Sequence, residues 1–115
     1  ETVYTDPTRL SQVINNLVNN AIKFTSEGNI RIGYRPAASD CVNIFVEDTG
    51  TGMSKEVIEH IFDRFYKGDA FKQGTGLGLA ICRTIVERFK GKIEVASTPG
   101  KGTRFTIILP LKVEE

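Results

Sequence analysis

The run Val13-Ile14-Asn15-Asn16-Leu17-Val18-Asn19-Asn20-Ala21-Ile22-Lys23-Phe24-Thr25 carries two patterns at once. Its apolar residues, with Leu10 before them, recur at helical spacing: Leu10, Val13, Ile14, Leu17, Val18, Ala21 and Ile22. That predicts an amphipathic helix with one buried face. Its asparagines fall into two sets. Asn16, Asn20 and Lys23 stand at i, i+4 and i+7, within about 60° of one another at ~100° per residue, while Asn15 and Asn19 point elsewhere. Asparagine is a poor helix former, and a merely solvated stripe is better served by Glu, Lys or Gln. The Asn16, Asn20 and Lys23 stripe borders the apolar face at Val13, as the rim of a pocket would.

Upstream of this helix, Asp6-Pro7 reads as an N-cap followed by proline at the first helical position. Downstream, Ser26-Glu27-Gly28-Asn29 ends it. Ile30, Ile32 and Tyr34 alternate as a half-buried strand, Pro36-Ala37-Ala38-Ser39-Asp40 turns the chain, and Val42, Ile44 and Val46 alternate again. Ser54 predicts the cap of a short helix through Val57, Ile58 and Ile61. After a loop with Gly68 and Gly74, a further helix runs from about Gly78 through Ala80, Ile81, Ile85 and Phe89, and Gly91 stops it. Ile93 and Val95 open a strand, Pro99-Gly100-Lys101-Gly102 turns it, and Phe105, Ile107 and Leu109 return it as a hairpin. The elements alternate without a regular βαβ rhythm, which favours an α/β fold with a mixed sheet covered by helices on one face. There is no internal repeat or linker, so residues 1–115 read as one domain.

Three segments carry chemistry. Amide oxygens such as those of Asn16 and Asn20 are hard, neutral donors suited to Mg²⁺, which takes a few protein oxygens and leaves room for water and phosphates. Lys23 would meet a polyphosphate as a point charge. Taken alone, the stripe would serve equally well as a solvated polar face. Asp48 ends an apolar strand and precedes Thr49-Gly50-Thr51-Gly52-Met53. A carboxylate there accepts from the exocyclic amine of adenine but repels the oxygen of guanine, and glycines allow close approach to a flat ring. Taken alone, the segment also reads as an Asp-Thr-Gly turn. Gly74, Gly76 and Gly78 open a helix, and helical N-terminal amides form an anion site, though a flexible loop is the alternative. Leu79 takes the place of the last glycine of a dinucleotide fingerprint, and a Walker-type Gly-Lys-Ser/Thr is absent. The stretch from Lys67 to Gly74 reads as a lid. Together these features predict a pocket for Mg-ATP.

Bulk properties narrow the classes. Fifteen basic and fourteen acidic residues leave a formal charge of +1, which gives no electrostatic reason for nucleic acid or a membrane surface as partner. Cys41 and Cys82 are too few for a disulfide framework and read as fillers; His60 reads as a surface helix residue. No apolar run approaches the roughly 20 residues of a membrane span. The chain begins at Glu1 rather than Met, as an excised piece of a longer protein would.

The order of these segments (asparagine helix, Asp48-Thr49-Gly50-Thr51-Gly52, Phe62-Asp63-Arg64-Phe65, Gly74-Thr75-Gly76-Leu77-Gly78) resembles the N, G1, F and G2 boxes of the catalytic, ATP-binding domain of sensor histidine kinases, in the superfamily shared with gyrase B, heat-shock chaperone and mismatch-repair ATPases. The likeness extends from Asp6-Pro7-Thr8-Arg9-Leu10 to Gly100-Lys101-Gly102-Thr103-Arg104-Phe105. It implies a two-layer α/β sandwich of the Bergerat type, with a mixed, roughly five-stranded sheet and about three helices on one face. It implies metal ligation by Asn16 and Asn20, phosphate contact and a catalytic part for Lys23, a catalytic part for Asn16 and Lys67, and adenine recognition by Asp48. Gly50, Gly52 and Met53 would shape the base pocket; Tyr66 and Lys67 would sit at the lid. Gly74, Thr75, Gly76, Leu77, Gly78 and Leu79 would hold phosphates, and Thr103 would complete the cofactor set.

The same resemblance implies transfer of the γ-phosphoryl group of ATP to a histidine on a separate dimerisation domain of the same protein, feeding a response regulator receiver domain. It places the domain in the cytoplasm, under a parent compatible with an integral membrane sensor. The His-Glu-x-x-Thr-Pro type acceptor signature is absent from these residues. The usual Phe-Glu-Arg-Phe-Tyr-Arg is Phe62-Asp63-Arg64-Phe65-Tyr66-Lys67 here, and lysine lacks the bidentate grip of arginine. In gyrase-like relatives a glutamate at the position of Asn16 activates water; an amide cannot act as a base, so poor hydrolysis is expected. Two alternatives remain at this stage, a serine kinase of the anti-sigma-factor type and a nucleotide-sensing module without transfer activity.

Overall fold

A computed structural model describes residues 7–25, 27–37, 41–63 and 78–110. The elements run α1 (Pro7–Phe24), β1 (Ile30–Ala37), β2 (Cys41–Asp48), α2 (Lys55–His60), α3 (Gly78–Arg88), β3 (Lys92–Thr98) and β4 (Gly102–Pro110). The strands form one sheet in the order β1-β2-β4-β3, every pair antiparallel. Among the described residues the sheet thus has four strands, all antiparallel, where a mixed sheet of roughly five was expected. The alternation in the sequence supports four strands; the fifth was carried over from the resemblance. Residues 1–6, including the expected cap Asp6, lie outside the described residues.

Burial follows the helical and strand periods. Val13, Leu17 and Ala21 of α1 meet Cys82, Ile85 and Val86 of α3, over Val42 and Val46 of β2 and Phe105, Ile107 and Leu109 of β4. Full burial of a side chain of this kind is worth roughly 1.5–3 kcal/mol. Ser54 caps α2 by accepting from Val57 N at 3.2 Å, as expected. The half-buried Phe62 packs edge-on against Phe105, with centroids 6.3 Å apart.

The helices cover less of the sheet than the alternation suggested. α1 packs over β2 and α3 over β3, leaving the edge strand β1 thinly covered. Ile32 and Tyr34, expected to be half-buried, are 53% and 76% exposed, and Ile22 of α1 is 58% exposed. Ile81 of α3 is also exposed. Pro36, expected in a turn, lies inside β1 opposite Val42, a place open to proline because β1 is an edge strand. On the other face of the sheet, Phe45 is buried under the guanidinium groups of Arg31, Arg35 and Arg104, at 5.6, 5.7 and 4.6 Å from its ring centroid. Gly33 opposite makes room for it, since a Cβ there would come within 2.6 Å of the ring.

The end of α3 differs from expectation in mechanism. Gly91 N donates to Val86 O and Lys90 N to Glu87 O, both at 3.0 Å, the paired bonds of a Schellman cap. The residue in the left-handed conformation is Lys90, with φ +68, not Gly91. Gly91 is needed for a different reason, because a Cβ there would overlap Ile108 O. Lys90→Gly should therefore stabilise the domain by about 1 kcal/mol, the usual cost of a left-handed non-glycine residue. Thermal unfolding checks this as a melting point a few degrees higher.

Candidate nucleotide-binding site

The stripe on α1 emerges as the sequence predicted. Asn16 and Asn20 are half-buried, whereas Asn15, Asn19 and Lys23 are exposed. Cys82 lies four residues, one helical turn, beyond Gly78, the first residue of α3. α1 packs against α3 through Val13, Leu17 and Cys82, which sets the asparagine helix beside the helix whose N-terminal amides were expected to hold phosphate. Cys82 is fully buried, and its Sγ donates to Val13 O at 3.8 Å. Burial pushes the thiol up to about 11. The expectation of a filler is met, for the residue belongs to the core.

The second part of the site lies where β2 meets the β3–β4 hairpin. Asp48 is buried, paired across the sheet with Thr103, which is buried too. Its Oδ1 accepts from Gly50 N at 2.8 Å. The turn reading is met, since one carboxylate oxygen makes the turn; among the described residues the side chain makes no further hydrogen bond. Gly52 takes φ +72 so that the loop can lie against the hairpin, where a Cβ would overlap Thr98 O. Gly100 N donates to Thr51 O at 2.7 Å across the same seam. Met53 is buried and, with Leu79, belongs to the same core cluster as Leu17 and Ala21 of α1. That cluster is the floor joining the two halves of the site.

Ser97 was missed by the sequence reading. Its hydroxyl donates to Gly102 O at 2.9 Å and accepts from Met53 N at 2.8 Å. The single hydroxyl hydrogen being used, the 2.8 Å contact with Thr103 Oγ1 must run from Thr103 to Ser97. Thr103 is left with its oxygen lone pairs beside Asp48. A polar residue at an inward position, after Ile93 and Val95 in the same alternation, was the available signal. Thr49 does similar work on the other side, its Oγ1 accepting from Asn29 N at 2.9 Å and tying the α1–β1 loop to the site.

Tyr66, Lys67, Gly74, Thr75, Gly76 and Leu77, with the lid expected from Lys67 to Gly74, lie outside the described residues. Gly78 begins α3 and Leu79 is buried against the core. His60 is exposed and pairs with Asp63 at 2.9 Å, which raises its pKa above the usual 6.5. Among the described residues no cluster of three or more His, Cys, Asp or Glu is arranged to hold a metal. No described helix is long and apolar enough to cross a membrane. A groove of about 390 Å³ between the start of α1 and α3, lined by Arg9, Ile81, Thr84, Arg88 and Phe89, shares no residue with the site.

Comparison with known proteins gives the arrangement its kinship. The family described as Histidine kinase-, DNA gyrase B-, and HSP90-like ATPase matches residues 5–113. Sensor protein SrrB of Staphylococcus aureus is 46% identical over 110 residues, 91% of this chain but 19% of the relative. The chain thus spans about a fifth of the length of that relative. Among solved structures, the catalytic domain of histidine kinase ThkA superposes with a TM-score of 0.82 at 38% identity, covering 95% of this chain and 70% of that one. Full-length ShkA in complex with AMPPNP superposes with a TM-score of 0.87 at 30% identity, covering 97% of this chain and 23% of that one. The chain belongs to the histidine kinase-, DNA gyrase B- and HSP90-like ATPase family, as an ATPase domain of the sensor histidine kinase kind.

Proposed function

We propose that this domain binds Mg-ATP and donates the γ-phosphoryl group to a histidine on a separate helical phosphoacceptor domain of the same protein, on the cytoplasmic side, for onward passage to a response regulator. The observation that supports the proposal is the packing of α1 against α3, where the Cys82 thiol donates to Val13 O at 3.8 Å, because it sets the asparagine-bearing helix beside the helix whose opening amides can bind an anion. The residues fit the cation. Asn16 and Asn20 are neutral oxygen donors on one face, one turn apart, and both are partly withdrawn from solvent. Bound there, Mg²⁺ would neutralise charge on the phosphates. Asp48 would orient the adenine through its amine, with Thr103 at its side. Lys23 and the α3 amides would hold the phosphate tail in line with an incoming imidazole. Phosphoryl transfer asks for positioning and charge stabilisation more than covalent help. Lacking a carboxylate base at Asn16, the pocket favours transfer to a delivered nucleophile over hydrolysis.

Incubating the domain with γ-labelled ATP, Mg²⁺ and a histidine-bearing helical domain from a sensor kinase tests the reading. The expected product is an acid-labile, base-stable label on the acceptor, and Asn20→Ala should reduce it at least about tenfold, the scale of one lost charge-assisted contact. An acid-stable label would indicate a serine kinase. Nucleotide binding with no labelled acceptor would indicate a sensing module.

A further inference from the structure

Three polar side chains stand in one row across the helix-covered face of the sheet. Asp48 of β2 is opposite Thr103 of β4, and Thr103 is opposite Ser97 of β3. The next row on that face is apolar, Val46, Phe105 and Val95. Polar groups in such surroundings are costly unless each hydrogen bond has its place. Gly102 O only accepts and Met53 N only donates, so their contacts with Ser97 Oγ, at 2.9 and 2.8 Å, take its one hydrogen and one of its two lone pairs. The second lone pair is left for Thr103 Oγ1 at 2.8 Å, which therefore donates. Ser97 is then saturated. The reverse direction would leave Ser97 Oγ and Gly102 O at 2.9 Å with no hydrogen between them. The Thr103 hydrogen thus points along the row toward β3, and its lone pairs are turned to the side of β2, where Asp48 stands. Asp48 brings a carboxylate with one oxygen committed to Gly50 N. The wall made by Asp48 and Thr103 accepts hydrogen bonds and donates none.

We propose that Ser97 is a positioning residue for base selection. By taking the Thr103 hydrogen it keeps that hydroxyl an acceptor, so the wall takes an exocyclic amine, which has two hydrogens to give, and rejects a 6-oxo base. The inference rests on the reading of Asp48 as the adenine contact. Without Ser97 Oγ the Thr103 hydrogen is released. It then turns to Asp48 and occupies the acceptor that the amine needs, or it donates to the oxygen of a 6-oxo purine.

The test is calorimetric titration of the 115-residue chain, with Mg²⁺ present, against ATP, ITP and purine riboside triphosphate, which carry an amine, an oxygen and a hydrogen at the same ring position. Ser97→Ala also leaves Met53 N without its acceptor, so binding is read well below the melting point of the variant. The ratio of ATP to ITP affinity should fall roughly 3- to 10-fold, the scale of one hydrogen bond. Purine riboside triphosphate is the reference, since looser packing lowers all three affinities alike. Ser97→Thr keeps the hydroxyl and should keep the parent ratio. Ser97→Cys, of nearly the same shape but a weak acceptor, should lower the ratio by a smaller factor and serves if the alanine chain does not fold. Thr103→Val removes the hydroxyl that Ser97 governs, so adding Ser97→Ala to it should leave the ratio where Thr103→Val alone sets it. Equal losses for the three nucleotides in Ser97→Ala would mark a merely structural role and overturn the proposal, as would a further fall of the ratio in the double variant. Asp48→Asn separates the two levels. If it changes the ratio and Ser97→Ala does not, positioning by Ser97 alone is wrong. If the parent chain binds ATP and ITP equally, the base reading fails and this inference falls with it.

Discussion

Asp48→Asn should weaken ATP binding roughly 10- to 150-fold, the equivalent of one charge-assisted hydrogen bond of about 1.5–3 kcal/mol. The substitution is cleaner than alanine because Asp48 has two duties. Its Oδ1 accepts from Gly50 N at 2.8 Å and shapes the turn into Gly50 and Gly52. Asparagine keeps an oxygen of the same reach for that bond, and the need of Gly50 N for an acceptor fixes which way the amide sits. What changes is the other end, from an acceptor to an NH₂ donor. Set against the amine of adenine it is donor against donor; set against the oxygen of guanine it is complementary. The ratio of ATP to GTP affinity should therefore shrink or invert, while the melting point stays near that of the parent. Calorimetry with both nucleotides reads the result directly. Unchanged ATP affinity in Asp48→Asn, or equal affinity for ATP and GTP in the parent, would remove Asp48 from base recognition.

The parts of this molecule that a sequence displays are those set by local period. The helix from Pro7 was legible because its apolar residues repeat at helical spacing, and the four strands because theirs alternate. Exposure was less legible, since it depends on what lies across the layer. Ile32 and Tyr34 alternate like core residues, yet α1 settles over β2 and leaves them open. The same division runs through the site. Asp48 could be found because a carboxylate closing an apolar strand is costly unless it is used. Ser97 left its trace as a polar residue at an inward position, but its partners at Met53, Gly102 and Thr103 are set by how the hairpin docks on the loop. The Cys82 thiol reaches Val13 O from 69 positions away, a contact that no local spacing encodes.

That docking leads to the largest expected loss of stability, at Gly102. Here φ is +128, a conformation essentially confined to glycine, and an added Cβ would overlap Asp48 O and come within 2.9 Å of Thr49 Cα. These are backbone atoms of the neighbouring strand and cannot swing aside as a flexible side chain would. Relief requires β4 to move away from β2 at the Asp48–Thr103 pair, where Gly102 O also holds the Ser97 hydroxyl at 2.9 Å. Gly102→Ala should cost roughly 3 kcal/mol or more, strain and collision together, and lower the melting point by roughly 10–20 °C. Gly100→Ala provides the internal comparison. Gly100 also has a positive φ, +81, but nothing lies within 4 Å of its added Cβ, so that variant bears conformational strain alone, about 1–2 kcal/mol. The difference between the two melting points isolates the collision. Because Asp48 and Thr103 face each other across the strained pair, the Gly102 variant should also lose ATP affinity below its melting point, which the Gly100 variant should not. Equal melting points would mean that the hairpin and β2 are not locked through this contact, and the shared wall of Asp48 and Thr103 would need another support.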